Sequence, residues 1–193
     1  MKKYLFISLI ITLIYSSNAF AKCDFELIGL GKSKENLKQK LKYPKDQPLM
    51  LMPDNFGGET FLLPLDESCK DQESLHGTMG EYLFINDKLE RIMLTRANMS
   101  DRNLMIFAMK KYGKFELPEG LPLDQWRGNH FWEKGNTLIE FLVTNIADEG
   151  YIEAISIQKL KSTTAMNRYY EKVGKWLDLS LIHISEPTRP SVI

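Results

Sequence analysis

Two runs of β-forming residues flank a short polar connection near the middle of the chain. Residues 81–85 and 89–95 are rich in aliphatic and aromatic side chains. Asn86, Asp87 and Lys88 separate the two runs, and Asn and Asp tolerate the positive φ angles that tight connections require. The pattern predicts a β-hairpin.

Three further strands are predicted in the second half of the chain, at residues 129–133, 137–144 and 151–160. Lys134, Gly135 and Asn136 form a turn signal between the first two, and a polar loop ending at Gly150 precedes the third. Strands joined by such short connections pair antiparallel. We therefore expect three neighbouring antiparallel strands.

Three segments carry apolar residues at helical spacing. The first follows Ser33, which can cap its start, and stops before Pro44. The second lies between Ser100 and Gly113, a residue that commonly ends helices. The third begins at Ser162. Their apolar stripes are Leu37 and Leu41; Leu104, Phe107, Ala108 and Tyr112; and Met166, Tyr169, Tyr170, Val173, Trp176 and Leu177.

The order of these elements predicts an α+β fold. Residues 48–69 mix apolar runs with prolines and glycines, which indicates short strands and turns between the first helix and the hairpin. The chain then reads as strands, helix, three strands and helix. We expect an antiparallel sheet with helices packed on one face.

Two segments suggest a tandem helix-plus-hairpin repeat. KENLKQKLKYP at residues 34–44 and RNLMIFAMKKYGK at residues 102–114 each lead from a helix into β-hairpins. This layout resembles that of exported modules similar to the β-lactamase-inhibitor and outer-membrane-assembly lipoprotein families. The resemblance implies an exported binding module. It rests on layout alone, so it assigns no functional residue.

The N-terminal residues have the pattern of a secretory signal peptide. Lys2 and Lys3 precede an apolar run at residues 5–14, and Ala19, Phe20 and Ala21 fit a cleavage site. The apolar run is too short to span a bilayer, which takes about 20 residues. We therefore predict a signal peptide at 1–21, a single domain at 22–178 and no transmembrane anchor, with a periplasmic or secreted location.

The C-terminal residues 179–193 differ from the rest of the chain. They contain Pro187 and Pro190 and do not continue a helical pattern. The segment SLIHISEPTRP resembles the translation of a sequencing adaptor. We interpret 179–193 as a non-native or disordered tail and base no site on His183.

Charge disfavours nucleic acid as a partner. The whole chain has 25 basic and 25 acidic residues. Without the two ends, which hold Lys2, Lys3, Arg189 and Glu186, the domain carries a net charge of −2. Nucleic-acid-binding domains usually have a marked basic excess, because their affinity comes from phosphate contacts.

The two cysteines, Cys23 and Cys69, predict a disulfide. In an oxidising compartment an even pair without a competing thiol is most simply bonded. A redox site usually has the spacing C-x-x-C, and a zinc site needs further ligands beside the two cysteines, whereas His76 and His130 are scattered between the predicted strands. We predict no metal and no cofactor.

The densest cluster of binding-type residues is the segment 126–132. Trp and Arg supply much of the energy at many binding surfaces, so Trp126, Arg127, His130 and Trp132 are the candidate binding residues for an envelope protein or a glycan. The alternative is packing, with the rings of Phe131 and Trp132 on opposite sides of the sheet.

Motifs for catalysis are not recognised. The chain lacks G-x-S-x-G, H-E-x-x-H, P-loop and G-x-G-x-x-G patterns. The leading hypothesis is an exported non-catalytic module that binds a protein or cell-envelope component. The alternative is a small exported hydrolase with a site at His76 or His130. A third is a membrane-surface protein that uses either the final helix or Lys34, Lys38 and Lys42, which share one side of the first helix.

Overall fold

The computed structural model describes Cys23 and residues 25–42, 48–97, 101–146 and 150–185. The predicted signal peptide at 1–21 lies outside the described residues, as do residues 186–193 of the predicted tail. Seven antiparallel strands form one sheet in the order β1-β2-β3-β4-β7-β6-β5. The strands are β1 Met52–Pro53, β2 Gly58–Pro64, β3 Met79–Ile85, β4 Lys88–Ala97, β5 Gly128–Lys134, β6 Thr137–Ile146 and β7 Gly150–Lys159.

Four α-helices within the described ranges accompany the sheet, and they confirm the predicted α+β class. They are α1 Lys34–Lys40, the short α2 Leu65–Ser68, α3 Asn103–Tyr112 and α4 Thr164–Ser185. None of the helices in the described part of the chain is long and apolar enough to cross a membrane.

The predicted hairpin is present as β3 and β4. Asn86 and Asp87 connect the two strands with φ angles of 50° and 62°. Both central residues therefore lie in the left-handed region, which is the requirement of the type I′ turn that matches the twist of paired strands. The sequence prediction is confirmed, and the strands extend slightly beyond the predicted runs.

Apart from the two-residue β1 at one edge, the sheet consists of two three-stranded meanders that meet at β4 and β7. β2, β3 and β4 follow one another in the first, and β5, β6 and β7 do so in the second. β4 and β7 pair from Arg91↔Gln158 to Ala97↔Ile152. A helix precedes each meander along the chain. A shared origin of the two halves stays a prediction.

The main hydrophobic core lies on one face of the sheet. Tyr82 and Phe84 of β3 point into it, together with Ile139 and Phe141 of β6. Leu37 of α1 and four residues of α3 cover these strands, and the segment 25–31 fills the space between them. Because side chains alternate along a strand, the other face carries Leu83 and Ile85.

The last helix packs on the opposite face, which differs from the predicted arrangement with all helices on one side. Met166 of α4 contacts Leu83 and Ile85 in a separate apolar cluster. The four residues from Tyr82 to Ile85 are all buried. β3 is therefore apolar on both faces and needs cover on both.

Helix boundaries also differ from the sequence prediction. α3 begins at Asn103, after Arg102 in the left-handed region with φ 53°, whereas Ser100 was the expected start. Arg102 is the N-cap residue, and the carboxylate of the preceding Asp101 accepts a hydrogen bond from the Asn103 N–H at 3.0 Å, which satisfies one free N–H of the first turn. α4 continues past Asp178, the predicted end of the domain, to Ser185.

The two cysteines are bonded, as predicted. Cys23 and Cys69 form a disulfide between positions 46 apart. Cys69 directly follows α2 and is buried in the main core. The bond fastens the N-terminal segment to the connection between β2 and β3.

Candidate binding surface

The aromatic residues predicted as binding residues form a packed cluster at β5. Phe115 lies at its centre, stacked on His130 with ring centroids 4.5 Å apart and close to Trp126 and Trp132. Trp126 stacks on Phe141 of the core. The Trp132 indole N–H donates a hydrogen bond to the Gly113 carbonyl at 3.0 Å, which satisfies its one polar group.

Burial limits what this cluster offers to a partner. Trp126 is 7% exposed and Trp132 is 8% exposed, whereas Phe131 on the opposite face is 49% exposed. The two tryptophans therefore pack in the core, and the exposed ring of the segment is the one that sequence reasoning treated only as packing. A binding role for the candidate residues stays a prediction.

Arg127 lies apart from the aromatic cluster. Its guanidinium donates to the Asn145 side chain and to the carbonyls of Asp124 and Trp126, each at 2.9 Å. It also lies over the Tyr151 ring, 4.6 Å from the centroid. These contacts hold the start of β5 against the β6–β7 end of the sheet.

Neither candidate histidine has the surroundings of a hydrolytic site. His76 is exposed, and its Nε2 lies 3.2 Å from the Lys70 carbonyl. His130 contacts aromatic rings. Within the described ranges, neither ring is hydrogen-bonded to a carboxylate or a hydroxyl group, which a general base in a triad requires. The hydrolase hypothesis therefore gains no support from the geometry.

Two surface hollows in the described part of the chain lie away from the candidate histidines. One of about 400 Å³ lies between residues 71–74 and α3, and one of about 270 Å³ lies between the segment 26–30 and the ends of β6 and β7. Neither is lined by His76 or His130. Across the described residues, no group of three or more His, Cys, Asp or Glu side chains is placed to hold a metal ion.

Buried charges connect the start of α3 to the sheet. Arg102 donates to the Glu153 carboxylate at 3.0 Å, and both side chains are completely buried. Arg96 of β4 makes two hydrogen bonds to the Asp101 carboxylate, at 2.9 and 3.1 Å. The Tyr151 ring lies 4.2 Å from the Arg102 guanidinium carbon. The network fixes one geometry for this junction.

The pKa shifts follow from these contacts. Burial raises the pKa of the Glu153 carboxyl above its ordinary value, although Arg102 acts in the opposite direction. The hydrogen bonds from Arg96 lower the pKa of Asp101. Both arginines lower the pKa of their carboxyl, but the net shifts have opposite signs, because desolvation outweighs Arg102 at the buried Glu153 and does not outweigh Arg96 at the partly exposed Asp101.

The sheet presents a row of side chains on the face opposite the main core. Consecutive register pairs run Leu62↔Glu81, Glu81↔Met93, Met93↔Ser156, Ser156↔Glu140 and Glu140↔Phe131, so six strands contribute one residue each. At about 4.8 Å between strands, the row is about 24 Å long. We call this row, with the adjacent Leu142 and Ile152, the open face.

The open face is accessible to solvent where α4 does not cover the sheet. Leu62 is 37% exposed and Phe131 is 49% exposed, and the four residues between them in the row are half-buried. α4 covers the same side of the sheet at Leu83 and Ile85. Apolar side chains are therefore partly open to solvent along one side of the molecule.

The charged residues of this row are acidic. Glu81 and Glu140 flank Met93 and Ser156, and neither carboxylate forms an ion pair with any described residue. Their nearest polar contacts are hydrogen bonds of 3.5 Å, from Thr95 and Asn129. The surface combines apolar contact area with two unpaired negative charges.

Sequence reasoning did not identify the open face, although the signal was present in the strands. Alternation assigns Met93, Glu140 and Phe131 to the side opposite Ile92, Phe141 and Trp132. The sequence does not give the order of the strands in the sheet, and without that order these residues could not be placed in one row.

Comparisons of this chain with protein-family models, curated proteins and solved structures find no match.

Proposed function

We propose that this protein is an exported, non-catalytic module that binds another protein through the open face of its sheet. The observation that carries the proposal is the row from Leu62 to Phe131, in which three of the six side chains, those of Leu62, Met93 and Phe131, are apolar and partly exposed on one side of the molecule. Large exposed apolar patches on small domains commonly mark binding sites.

The charges of the open face favour a partner with Lys or Arg side chains at its contact surface. Glu81 and Glu140 have no ion-pair partner among the described residues, and they stand on either side of the central Met93 and Ser156. Carboxylates repel nucleic acids and anionic lipids, whereas a basic protein surface would pair with them. Apolar contact at Met93 and Leu142 would supply the remaining affinity.

Export is supported by the signal-peptide pattern at residues 1–21 and by the Cys23–Cys69 disulfide, since disulfides persist in oxidising compartments. We propose a periplasmic or secreted location. Fractionation of producing cells and mass spectrometry of the N-terminus test it. Cleavage after Ala21 with both cysteines oxidised is expected; an unprocessed intracellular chain with two alkylatable thiols contradicts it.

The binding proposal is tested by photo-crosslinking. A photoreactive amino acid replaces Met93 at the centre of the open face, and a control protein carries it at Ile106, an exposed apolar residue of α3. In the producing cells, we expect a defined protein adduct from position 93 that is not formed from position 106. Identical adducts from both positions, or none from position 93, would rule out the open face.

Charge reversal then tests the chemistry of the partner. The Glu81→Lys/Glu140→Lys variant, combined with the photoreactive residue at position 93, should reduce the adduct about tenfold or more, because it replaces attraction with repulsion. Glu119→Lys, an exposed change in the loop before β5, serves as the matched control. Equal adduct yields in the two variants would exclude a basic partner.

A further inference from the structure

The two edges of the sheet differ in how they are protected. β1 closes one edge with two residues, one of which is Pro53. β5 forms the other edge as a seven-residue strand that pairs with β6 without a register shift, from Gly128↔Val143 to Lys134↔Thr137. Natural sheets block their edges with short strands, prolines, bulges or central charges. β1 has two of these devices, whereas the centre of β5 has none.

The backbone groups of β5 that face away from the sheet can be assigned. The two-residue connection of Gly135 and Asn136 directs the Lys134 carbonyl towards Thr137. Because neighbouring residues direct their backbone groups to opposite sides, Asn129, Phe131 and Glu133 face outward. Over the described parts of the chain, no backbone hydrogen bond joins β5 to any segment other than β6.

The outward-facing residues are complementary to themselves in antiparallel orientation. If two β5 strands pair about a two-fold axis at Phe131, each Phe131 faces its equivalent, and each Asn129 faces Glu133 of the other strand. This register brings no like charges together, and each outward pair exchanges both backbone hydrogen bonds. Phe131 is 49% exposed, so its ring is available for an aromatic cross-strand pair.

We propose that two copies of this chain associate through β5, antiparallel about a two-fold axis at Phe131, and join their sheets into one. The strand that pairs with β5 is β5 of a second copy of this chain. A two-fold interface requires a self-complementary strand, and β5 is self-complementary because Phe131 faces Phe131 and Asn129 faces Glu133. The interface uses an edge of the sheet and shares only Phe131 with the open face, so the oligomeric state tests it separately from the crosslinking at Met93 that tests the proposed function.

Light scattering coupled to gel filtration, over a concentration series of the purified oxidised protein, is the first test. The wild type should be a dimer at high concentration and dissociate on dilution. Phe131→Lys should be monomeric throughout, because it places two ammonium groups at the axis. A wild type that stays monomeric at all concentrations overturns the proposal. This holds even if a β-strand peptide from another protein binds to β5.

A charge exchange tests the register. Asn129→Glu places two carboxylates opposite each other at both ends of the interface and should raise the dimer dissociation constant about tenfold. Adding Glu133→Lys converts each repulsive pair into an ion pair and should restore dimerisation. The two positions are about 13 Å apart along one strand, so direct contact within one copy does not explain a rescue.

Thr144→Glu is the matched control, since it adds the same charge at an exposed position of β6 away from the edge. It should dimerise like the wild type. Near-ultraviolet circular dichroism confirms the fold of each variant. A dimer that is insensitive to Phe131→Lys and Asn129→Glu, or a loss by Asn129→Glu that Glu133→Lys does not reverse, contradicts pairing through β5 in this register.

Discussion

Arg102 is the residue whose loss should affect stability most at the junction of α3 and the sheet. The Arg102→Met variant leaves the buried Glu153 carboxylate without its partner at 3.0 Å. An uncompensated buried charge costs about 3–5 kcal/mol of unfolding free energy. Urea denaturation measures the change. Arg168→Met, on the exposed side of α4, is the control and should match the wild type; equal stability of both variants would contradict the structural role.

Glu153 should make stability depend on pH in a defined direction. Its pKa is raised by burial, so the folded state holds this proton more tightly than the unfolded state does. Its contribution is complete below the ordinary glutamate pKa and is lost as pH rises through the raised value. The free energy of unfolding of wild type minus that of Glu153→Gln should therefore decrease from acidic to neutral pH. Urea titrations of both proteins at acidic and at neutral pH check this prediction. An increase of the difference in unfolding free energy from acidic to neutral pH contradicts it.

At the level of single residues, the sequence identified side chains of the types that bind partners, but it did not show whether they are buried or exposed. Trp126 and Trp132 were selected because tryptophan is common at binding surfaces, yet both are buried around Phe115. Arg96 and Arg102 were not selected, because arginine is usually exposed. Their burial depends on Asp101 and Glu153, whose proximity arises from the tertiary structure.

Strands and their connections were the most predictable elements. The hairpin at Asn86 and Asp87 and the three later strands follow from short-range patterns that act over a few residues. The start of α3 was less predictable, because its N-cap residue is Arg102 in the left-handed region, a conformation that a sequence pattern does not indicate for arginine. The side on which α4 packs depends on β3 being apolar on both faces, which only the assembled sheet makes evident.

Asp54 should hold α4 to the loop between β1 and β2. One carboxylate oxygen accepts the N–H groups of Phe56 and Gly58, at 2.8 and 2.9 Å, and the other accepts the Tyr169 hydroxyl at 2.8 Å. Asp54→Ala removes all three hydrogen bonds. We expect faster amide hydrogen exchange in residues 54–58 and in the first turns of α4, measured by mass spectrometry.

The control for this prediction is Lys175→Ala, which removes the exposed ion pair of Lys175 with Glu171 on the same helix. Exposed pairs of this kind contribute little to stability, so exchange should remain as in the wild type. If Asp54→Ala also leaves exchange unchanged, the other contacts of the helix, such as Met166 in its apolar cluster and the Lys172 hydrogen bond to the Phe56 carbonyl, are sufficient to hold it.

At the scale of the whole molecule, the fold class was predictable and the open face was not. Alternating strands and amphipathic helices predict an α+β domain whatever the strand order. The open face requires that β4 and β7 pair, because this pairing places Met93 beside Ser156 and joins the rows of the two meanders. Such long-range pairing is not encoded in any local pattern, so the surface appears only with the topology.

The disulfide should supply a large part of the stability of the whole domain. Joining Cys23 to Cys69, 46 positions away, restricts the unfolded chain and contributes about 4 kcal/mol on the chain-entropy estimate. Addition of a reductant should therefore lower the urea midpoint of the wild type. The Cys23→Ala/Cys69→Ala variant should have a similarly low midpoint that the reductant does not change. A wild type whose urea midpoint does not change on verified reduction would contradict this prediction. It would show that β-sheet packing alone holds the N-terminal segment at α2, because the cross-link would then add no constraint to those of the fold.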